Sequence, residues 1–313
     1  MSRMWWVSGL KGENATQRAA HTDHDPARKA CDMNRTSRTS RTHTTMTVLA
    51  GAGVAAGLLA TTIAPASADK GGPADRGDKP TVVLVHGAFA DSTSWNGVID
   101  KLRHDGYPVV AVANPLRSLS GDSAYLKDVL AGIDGPVVLA GHSYGGSVIS
   151  NAATGNKNVK ALVYLAAFLP AKGESAVDLS GRFPGSTLGD ALRPVPVMNA
   201  DGSAGTDLYI QNDKFRQQFA ADVPRNKTDL MTVTQRPVTE AALGEGAAEP
   251  AWKTIPSWVL VATQDRNIPA AAQEFMARRA GAHTTEVRSS HAVSVSQPGK
   301  VTGVIEDAAR SVR

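Results

Sequence analysis

A serine stands between two glycines in the segment Gly141-His142-Ser143-Tyr144-Gly145, and this pattern is the one in the chain best suited to chemistry. A short apolar run, PVVLA, comes directly before it, and a pattern typical of a helix follows. A serine at a tight strand-to-helix turn has a strained backbone and exposes its hydroxyl above the sheet edge, and the glycines let strand and helix approach closely. The segment therefore predicts that Ser143 is a nucleophile.

A serine hydroxyl is a weak nucleophile unless a base accepts its proton, and histidine is the usual base. Residues 69–313 contain five histidines: His86, His104, His142, His283 and His291. His291 lies on a predicted loop between the last strand and the last helix, within reach of the sheet edge. We expect His142 to point away from the serine and His86 to be a buried structural residue. His291 is therefore the predicted base, and a surface-loop histidine is the alternative.

A histidine base needs a carboxylate that fixes its tautomer and stabilises its charged form. Asp265 follows a predicted strand and is the only carboxylate at a strand end between Ser143 and His291. The alternative for Asp265 is a turn-forming residue or the N-cap of the next helix. The pattern predicts that Asp265 is the third member of a Ser-His-Asp triad.

Main-chain donors for a negatively charged intermediate are expected beside the serine. The segment His86-Gly87-Ala88-Phe89 follows the first predicted strand, and its glycine lets the backbone curl so that the next amide faces the serine hydroxyl. We predict an oxyanion hole formed by the N–H groups of Ala88 and Tyr144, with the Phe89 N–H as the less favoured alternative.

Strands and helices that alternate along the chain position these residues. Predicted strands cover residues 81–85, 108–113, 136–140, 159–166, 257–262 and 284–287, and predicted helices cover residues 95–103, 123–133, 146–153, 270–279 and 297–311. Alternation with short connections is typical of the α/β class, in which a mostly parallel sheet has helices on both faces.

The alternation stops near residue 170 and resumes after residue 254. The interval is rich in Pro, Gly, Asp and Gln, with weak helical patterns at 213–221 and 227–233. We predict a cap or lid inserted at the carboxyl edge of the strands, where open sheets bind ligands. Its apolar residues form either a substrate pocket or a small core of the insertion itself. These residues are Phe183, Leu188, Met198, Leu208, Tyr209, Phe215 and Phe219.

The N-terminal residues 1–68 form a predicted leader. Within residues 33–68, three arginines precede an uncharged run that ends at Ala66-Ser67-Ala68, which is the layout of a secretory signal peptide cleaved after Ala68. A membrane anchor is the alternative. We therefore expect a secreted protein with a flexible lead-in at 69–80, a catalytic domain at 81–313 and the cap at about 170–254.

The distribution of charge argues against a nucleic-acid partner. The chain has a net charge of +4, but residues 1–68 contain 8 Lys or Arg and 4 Asp or Glu, and the remainder contains 25 of each. No basic stripe therefore remains to follow a phosphate backbone. The single cysteine, Cys31, lies in the leader, so no disulfide framework is expected.

From about residue 81 onward, the sequence resembles the α/β-hydrolase superfamily, and more narrowly the plant methylesterase and hydroxynitrile-lyase-like group with its bacterial secreted esterase relatives. The resemblance rests on several motifs in order: VLVHGAFADSTSW, VVLAGHSYGG, ALVYLAAFLP, QRP at 235–237, VLVATQDRNIP and SSHAVSVSQP. It implies the α/β-hydrolase fold and the chain order Ser143, Asp265, His291 for the triad.

The cyanide-eliminating lyases of this group carry a Lys directly after the catalytic His and a Thr directly after the first-strand His. The corresponding residues here are Ala292 and Gly87, so the resemblance implies the esterase branch. We expect a serine carboxylic-ester hydrolase for a small or medium apolar ester, without a metal or organic cofactor. Phe89 and Phe168 are the expected substrate contacts.

Other activities of the same scaffold remain alternatives: lactonase, amidase, thioesterase, perhydrolase or hydroxynitrile lyase, or a receptor-like protein that binds a ligand and turns it over slowly. We expect a small-molecule ester as the partner and no stable membrane insertion after cleavage. The sequence leaves the oligomeric state open.

Overall fold

The computed structural model describes residues 79–312. The predicted signal peptide, its cleavage site and most of the predicted lead-in lie outside the described residues. The strands are β1 (Thr81–Val85), β2 (Val109–Val112), β3 (Val137–His142), β4 (Val159–Leu165), β5 (Leu192–Met198), β6 (Ala204–Ile210), β7 (Val238–Thr239), β8 (Ser257–Ala262) and β9 (His283–Val287). The α-helices are α1 (Asn96–His104), α2 (Leu119–Ala131), α3 (Tyr144–Ala152), α4 (Ala176–Gly181), α5 (Leu188–Ala191), α6 (Asn212–Phe219), α7 (Arg225–Thr234), α8 (Glu240–Gly244), α9 (Ala270–Arg279), α10 (Val293–Ser296) and α11 (Pro298–Arg310).

Six strands form one parallel sheet in the order β2-β1-β3-β4-β8-β9. The central strands β3 and β8 are buried along their whole length, as expected for apolar runs that helices cover on both faces. The predicted α/β class with a mostly parallel sheet is therefore confirmed. Parallel strands also bring their carboxyl ends to one edge, where the predicted catalytic residues lie.

Helices cover both faces of this sheet. Helices α1 and α11 pack on one face, where Val98 and Leu102 join a core with Val82 and Leu84 of β1. Helices α2, α3 and α9 pack on the opposite face. All nine residues of α3 are buried, so the helix that follows Ser143 is fixed by packing on every side.

The chain between β4 and β8 forms α4, α5, α6, α7, α8 and a three-stranded antiparallel sheet in the order β5-β6-β7. Helices α6 and α7 occur where weak helical patterns were predicted, whereas the antiparallel sheet was not predicted. Its outer strand β5 contains Pro194 and Pro196, which have no N–H to donate and therefore suit the edge of a sheet. Within residues 79–312, no helix is long and apolar enough to cross a bilayer.

Candidate active site

Ser143 occupies a strained turn between β3 and α3, with φ of 54° and ψ of −126°. The two glycines around it are required by space. A Cβ on Gly141 would lie 2.6 Å from the Gly145 carbonyl oxygen, and a Cβ on Gly145 would lie 2.5 Å from the Val85 carbonyl oxygen. The turn therefore has the geometry that the sequence predicts for a nucleophile.

The structure brings together the three residues predicted as a triad. His291 Nε2 lies 2.8 Å from Ser143 Oγ, and His291 Nδ1 lies 2.7 Å from Asp265 Oδ2. A carboxylate only accepts hydrogen bonds, so Nδ1 carries the proton and Nε2 is left to accept the serine O–H. The exposed fractions of Ser143, His291 and Asp265 are 6%, 1% and 7%, so the chain of hydrogen bonds is shielded from water.

Four donors fix the Asp265 carboxylate. Oδ1 accepts the main-chain N–H groups of Asn267 at 2.7 Å and Ile268 at 3.0 Å, and Oδ2 accepts Gln273 Nε2 at 3.0 Å as well as the His291 ring. Asp265 thus forms a turn through one oxygen and orients the histidine through the other. Gln273 faces this loop from the buried side of α9, and no sequence pattern indicated its role.

The predicted oxyanion loop passes directly against the nucleophile. A Cβ on Gly87 would lie 2.6 Å from Ser143 Cβ, so only glycine fits there. The Phe89 N–H donates to the Arg236 carbonyl at 3.0 Å and is already occupied. Within the described part of the chain, the N–H groups of Ala88 and Tyr144 have no main-chain acceptor. The geometry therefore favours Ala88 over Phe89 as the donor beside Tyr144.

The short QRP motif has a structural role that its sequence did not reveal. Gln235 accepts the Ile210 N–H and donates to the Ile210 carbonyl, each at 2.9 Å. The next residue, Arg236, supplies the carbonyl that holds Phe89. The motif therefore joins β6 to the oxyanion loop.

His142 lies against the base, contrary to our expectation that it points away from the site. Its ring centre is 4.8 Å from that of His291, and its Nε2–H donates to the His291 carbonyl at 2.8 Å. Alternate strand residues share a face, so His142 faces the same side as Val138 and Ala140 and contacts Trp95. Burial, and then the nearby His291 ring, lower the pKa of His142 to about 3, so its ring is neutral near pH 7.

The last residues of α6 contact both catalytic loops. The Phe219 ring lies 5.0 Å from the His291 ring, and the Phe219 carbonyl accepts the Ala292 N–H at 2.9 Å. Gln218 Nε2 donates to the Arg266 carbonyl at 2.9 Å and to Asn267 Oδ1 at 2.8 Å. One turn of helix therefore supports the loop of Asp265 and the loop of His291. No local sequence pattern indicated these contacts.

The two predicted substrate contacts, Phe89 and Phe168, approach the site in different ways. The Phe89 ring packs edge-on against Phe219 at 6.4 Å, and Phe89 also lines a groove of about 290 Å³ with Met231 of α7. Phe168 approaches the nucleophile through its main chain, since its N–H donates to the Ser143 carbonyl at 3.2 Å. Contact of either ring with substrate stays a prediction.

The apolar residues of the predicted cap separate into buried and exposed groups. Phe215 and Phe219 are fully buried and stack on each other at 5.2 Å, whereas the Met198 side chain is 72% exposed. Phe183 pairs with Phe275 of α9. Phe219 is thus the member of this group whose ring contacts the base. Residues 79–312 contain no cluster of three or more His, Cys, Asp or Glu side chains suited to hold a metal ion.

Comparisons with known proteins define the family. Residues 82–303 match the model of the alpha/beta hydrolase family, and the chain belongs to that family. An alpha/beta hydrolase of Aspergillus novofumigatus, nvfD, is 29% identical over 261 residues, which are 74% of this chain and 97% of that protein. A putative chloroplastic methylesterase of Arabidopsis thaliana is 26% identical over 62% of this chain and 54% of its own length.

The crystal structure of polyneuridine aldehyde esterase superposes with a TM-score of 0.64 and 20% identity, over 73% of this chain and 98% of that one. At this identity, the likeness shows the fold. The resemblance to the methylesterase group is confirmed. Sequence relatives named as esterases and hydrolases bear out the expectation of a hydrolase that acts on ester bonds.

Proposed function

We propose that the protein is a serine carboxylic-ester hydrolase that works through an acyl-enzyme. The observation that carries this proposal is the buried chain of hydrogen bonds from Ser143 Oγ through His291 to Asp265. Relatives named as esterases and hydrolases support the same class of reaction.

In the first half of the reaction, Ser143 Oγ attacks the ester carbonyl carbon while His291 Nε2 takes the hydroxyl proton. The carbonyl oxygen becomes an oxyanion, which the N–H groups of Ala88 and Tyr144 stabilise. Asp265 stabilises the imidazolium that forms. The imidazolium then gives its proton to the leaving alcohol as the C–O bond breaks, and the acyl group remains on Ser143.

In the second half, His291 accepts a proton from water, and the resulting hydroxide attacks the acyl carbon. Collapse of the second oxyanion breaks the bond to Ser143 Oγ, which regains its proton from His291. The carboxylic acid leaves, and the triad returns to its starting protonation state. The water-shielded position of His291 and Asp265 strengthens the electrostatic interactions that both steps need.

The surroundings of the triad support a small or medium apolar ester. Phe219 packs on the base and contacts Phe89. Phe89 also lines the groove in which Met231 and Leu230 supply apolar surface. Ala292 places a buried methyl group where the lyases of the group carry an ammonium. Ester hydrolysis is therefore favoured over cyanide elimination.

Covalent labelling of the full chain tests this proposal. We expect a fluorophosphonate to add one adduct to the wild type and none to Ser143→Ala, as weighed by intact mass spectrometry. Ser147→Ala is the matched control, since Ser147 is a buried serine one turn along α3, and this variant should be labelled like the wild type. Absence of an adduct on the wild type would contradict the proposal.

We also propose that the chain is exported and cleaved between Ala68 and Asp69. The support is the arginine-rich start, the uncharged run and the small residues within residues 33–68. Expression with the leader intact should release into the medium a protein whose N-terminal residue is Asp69. Retention of the uncleaved chain in the membrane fraction would favour the anchor instead.

A further inference from the structure

The ring of His86, at the carboxyl end of β1, is completely buried, and both of its nitrogens have partners. Nε2 accepts the main-chain N–H of Asn114 at 3.0 Å, and Nδ1 lies 2.9 Å from the Gly87 carbonyl oxygen. Because Nε2 accepts a hydrogen bond, the proton of the neutral ring is on Nδ1, and Nδ1–H donates to Gly87. Burial lowers the pKa of His86 to about 4, which agrees with a neutral ring near pH 7.

The acceptor of this bond belongs to the peptide unit that carries the predicted oxyanion donor. A trans peptide is planar, and its C=O and N–H point in opposite directions. The structure has no cis peptide bond within residues 79–312. When His86 binds the Gly87 carbonyl on one side, the Ala88 N–H of the same peptide is therefore directed to the other side.

The atoms around this peptide leave little room for it to rotate. Gly87 is in contact with Ser143, since a Cβ added to it would lie 3.2 Å from Ser143 Oγ. The following amide, Phe89 N–H, is held by the Arg236 carbonyl at 3.0 Å. In addition, Asn114 Nδ2 donates to the His86 main-chain carbonyl at 3.0 Å, so the loop that follows β2 also holds the backbone of the histidine.

We propose that His86 is a positioning residue, whose Nδ1–H holds the Gly87 carbonyl and thereby turns the Ala88 N–H toward the oxyanion that forms on the substrate. This inference rests on the proposed ester hydrolysis at Ser143. His86 does not act as a second base, because Nε2 is occupied by Asn114 and the ring is excluded from solvent. Its contribution is to direct the Ala88 N–H toward the oxyanion.

Two amide substitutions separate this role from a general structural one. In His86→Asn, the side-chain NH₂ stands near the former Nδ1 and can still donate to Gly87. In His86→Gln, the amide stands near the former Nε2, so its oxygen can accept the Asn114 N–H while the donor to Gly87 is lost. His86→Asn therefore keeps the hydrogen bond to the Gly87 carbonyl, and His86→Gln keeps the hydrogen bond from the Asn114 N–H.

The measurement uses the full chain, an activated short-chain ester and an alkyl trifluoromethyl ketone, which adds reversibly to the serine and forms an oxyanion in the hole. We expect His86→Gln to lower kcat and the ketone affinity together by about 10-fold to 100-fold, with KM within about 3-fold, because one oxyanion donor is worth about 100-fold to 1000-fold in kcat. His86→Asn should retain kcat and ketone affinity within about 3-fold of wild type.

Equal kcat and ketone affinity in His86→Gln and wild type would overturn the role of His86. The role would also be overturned if both variants lost kcat and ketone affinity in proportion to the fall in their melting temperatures, because that result indicates a general structural effect. If neither variant folds, ¹⁵N NMR of the wild-type His86 ring decides, since the proposal requires the Nδ1–H tautomer and the Nε2–H tautomer excludes it. A wild type that neither binds the ketone nor reacts with a fluorophosphonate would instead refute the proposed ester hydrolysis itself.

Discussion

The ring of Phe219 lies 5.0 Å from the ring of His291 at an angle of 74°, although the two residues belong to different layers of the fold. The same phenylalanine accepts the Ala292 N–H, and its neighbour Asp222 accepts the hydroxyl of Ser290. The segment between β4 and β8 therefore reaches the loop of the catalytic histidine. At this point it forms part of the frame that holds the base.

Replacement of Phe219 tests this frame. Phe219→Leu removes the ring that packs on His291, and Phe215→Leu removes the adjacent ring, which does not touch the base. Both variants should lower the free energy of unfolding by about 1–3 kcal/mol in urea titrations. We expect only Phe219→Leu to lower kcat, by about 10-fold or more, because small displacements of a catalytic group are costly. Equal kcat in the two variants would contradict the frame.

Asp265→Asn should inactivate the site without unfolding it. The amide would place an N–H against His291 Nδ1, so the ring proton would move to Nε2 and the ring could no longer accept the proton of Ser143. By analogy with serine proteases, we expect kcat to fall by about 10⁴-fold. Asp307→Asn is the control, since Asp307 is exposed on α11 and pairs with Arg310, away from the histidine ring. Steady-state ester hydrolysis measures kcat of both variants. A kcat of Asp265→Asn within about 10-fold of the wild-type value would rule out the triad.

Gly87→Ala should abolish activity through a steric clash. The new Cβ would lie 2.6 Å from Ser143 Cβ and 2.7 Å from the His142 carbonyl oxygen, so either the oxyanion loop or the nucleophile has to move. Gly303→Ala is the control, because nothing lies within 4 Å of its Cβ and alanine favours the helix α11 by about 0.5–1 kcal/mol. We expect loss of ester hydrolysis and a lower melting temperature for the first variant, and full activity with a higher melting temperature for the second.

The buried histidines should make the fold sensitive to acid. Burial lowers the pKa of His142 to about 3 and that of His86 to about 4, from 6.5 in an unfolded chain. As the pH falls below 6.5, the unfolded chain binds protons that the folded chain does not, so the free energy of unfolding decreases until the pH reaches the folded-state values. His142 and His86 each contribute up to about 1.4 kcal/mol per pH unit to the slope of the free energy of unfolding against pH.

His142→Gln removes one of these titrating groups and retains an amide N–H for the His291 carbonyl. Urea titrations between pH 6.5 and pH 4 should therefore show a shallower loss of stability in this variant than in wild type. Gln217→Asn, at an exposed position of α6, changes no titrating group and should have the slope of the wild type. A His142→Gln slope equal to that of wild type would show that His142 does not remain neutral in the folded protein.

The parallel sheet and the meeting of Ser143, Asp265 and His291 follow from signals that are local in the sequence. Continuous apolar runs mark the buried strands, and parallel strands end at one edge, so residues directly after them come together. The direction of the His142 side chain could also be predicted, because the alternation along the strand places Val138, Ala140 and His142 on one face of the sheet. Our expectation was wrong because His142 still belongs to β3, so the alternation of the strand and not the turn sets the direction of its side chain.

Two other features were not predicted from the sequence. Gln218 and Phe219 meet the catalytic loops through the packing of α6, and their spacing in the sequence carries no sign of it. The β5–β6 hairpin escaped prediction because Pro194 and Pro196 interrupt the pattern typical of a strand. Tertiary packing decides the contacts of α6, whereas the two prolines of β5 obscure a pairing that is local in the chain.

The same two prolines affect how the molecule behaves in a crowded solution. An exposed outer strand normally offers a row of free N–H and C=O groups, which a strand of another molecule can extend into an aggregate. Pro194 and Pro196 remove two donors from the outer strand of the small sheet. Pairing of another strand with β5 is thereby disfavoured by the covalent chemistry of the strand itself, which does not depend on salt concentration.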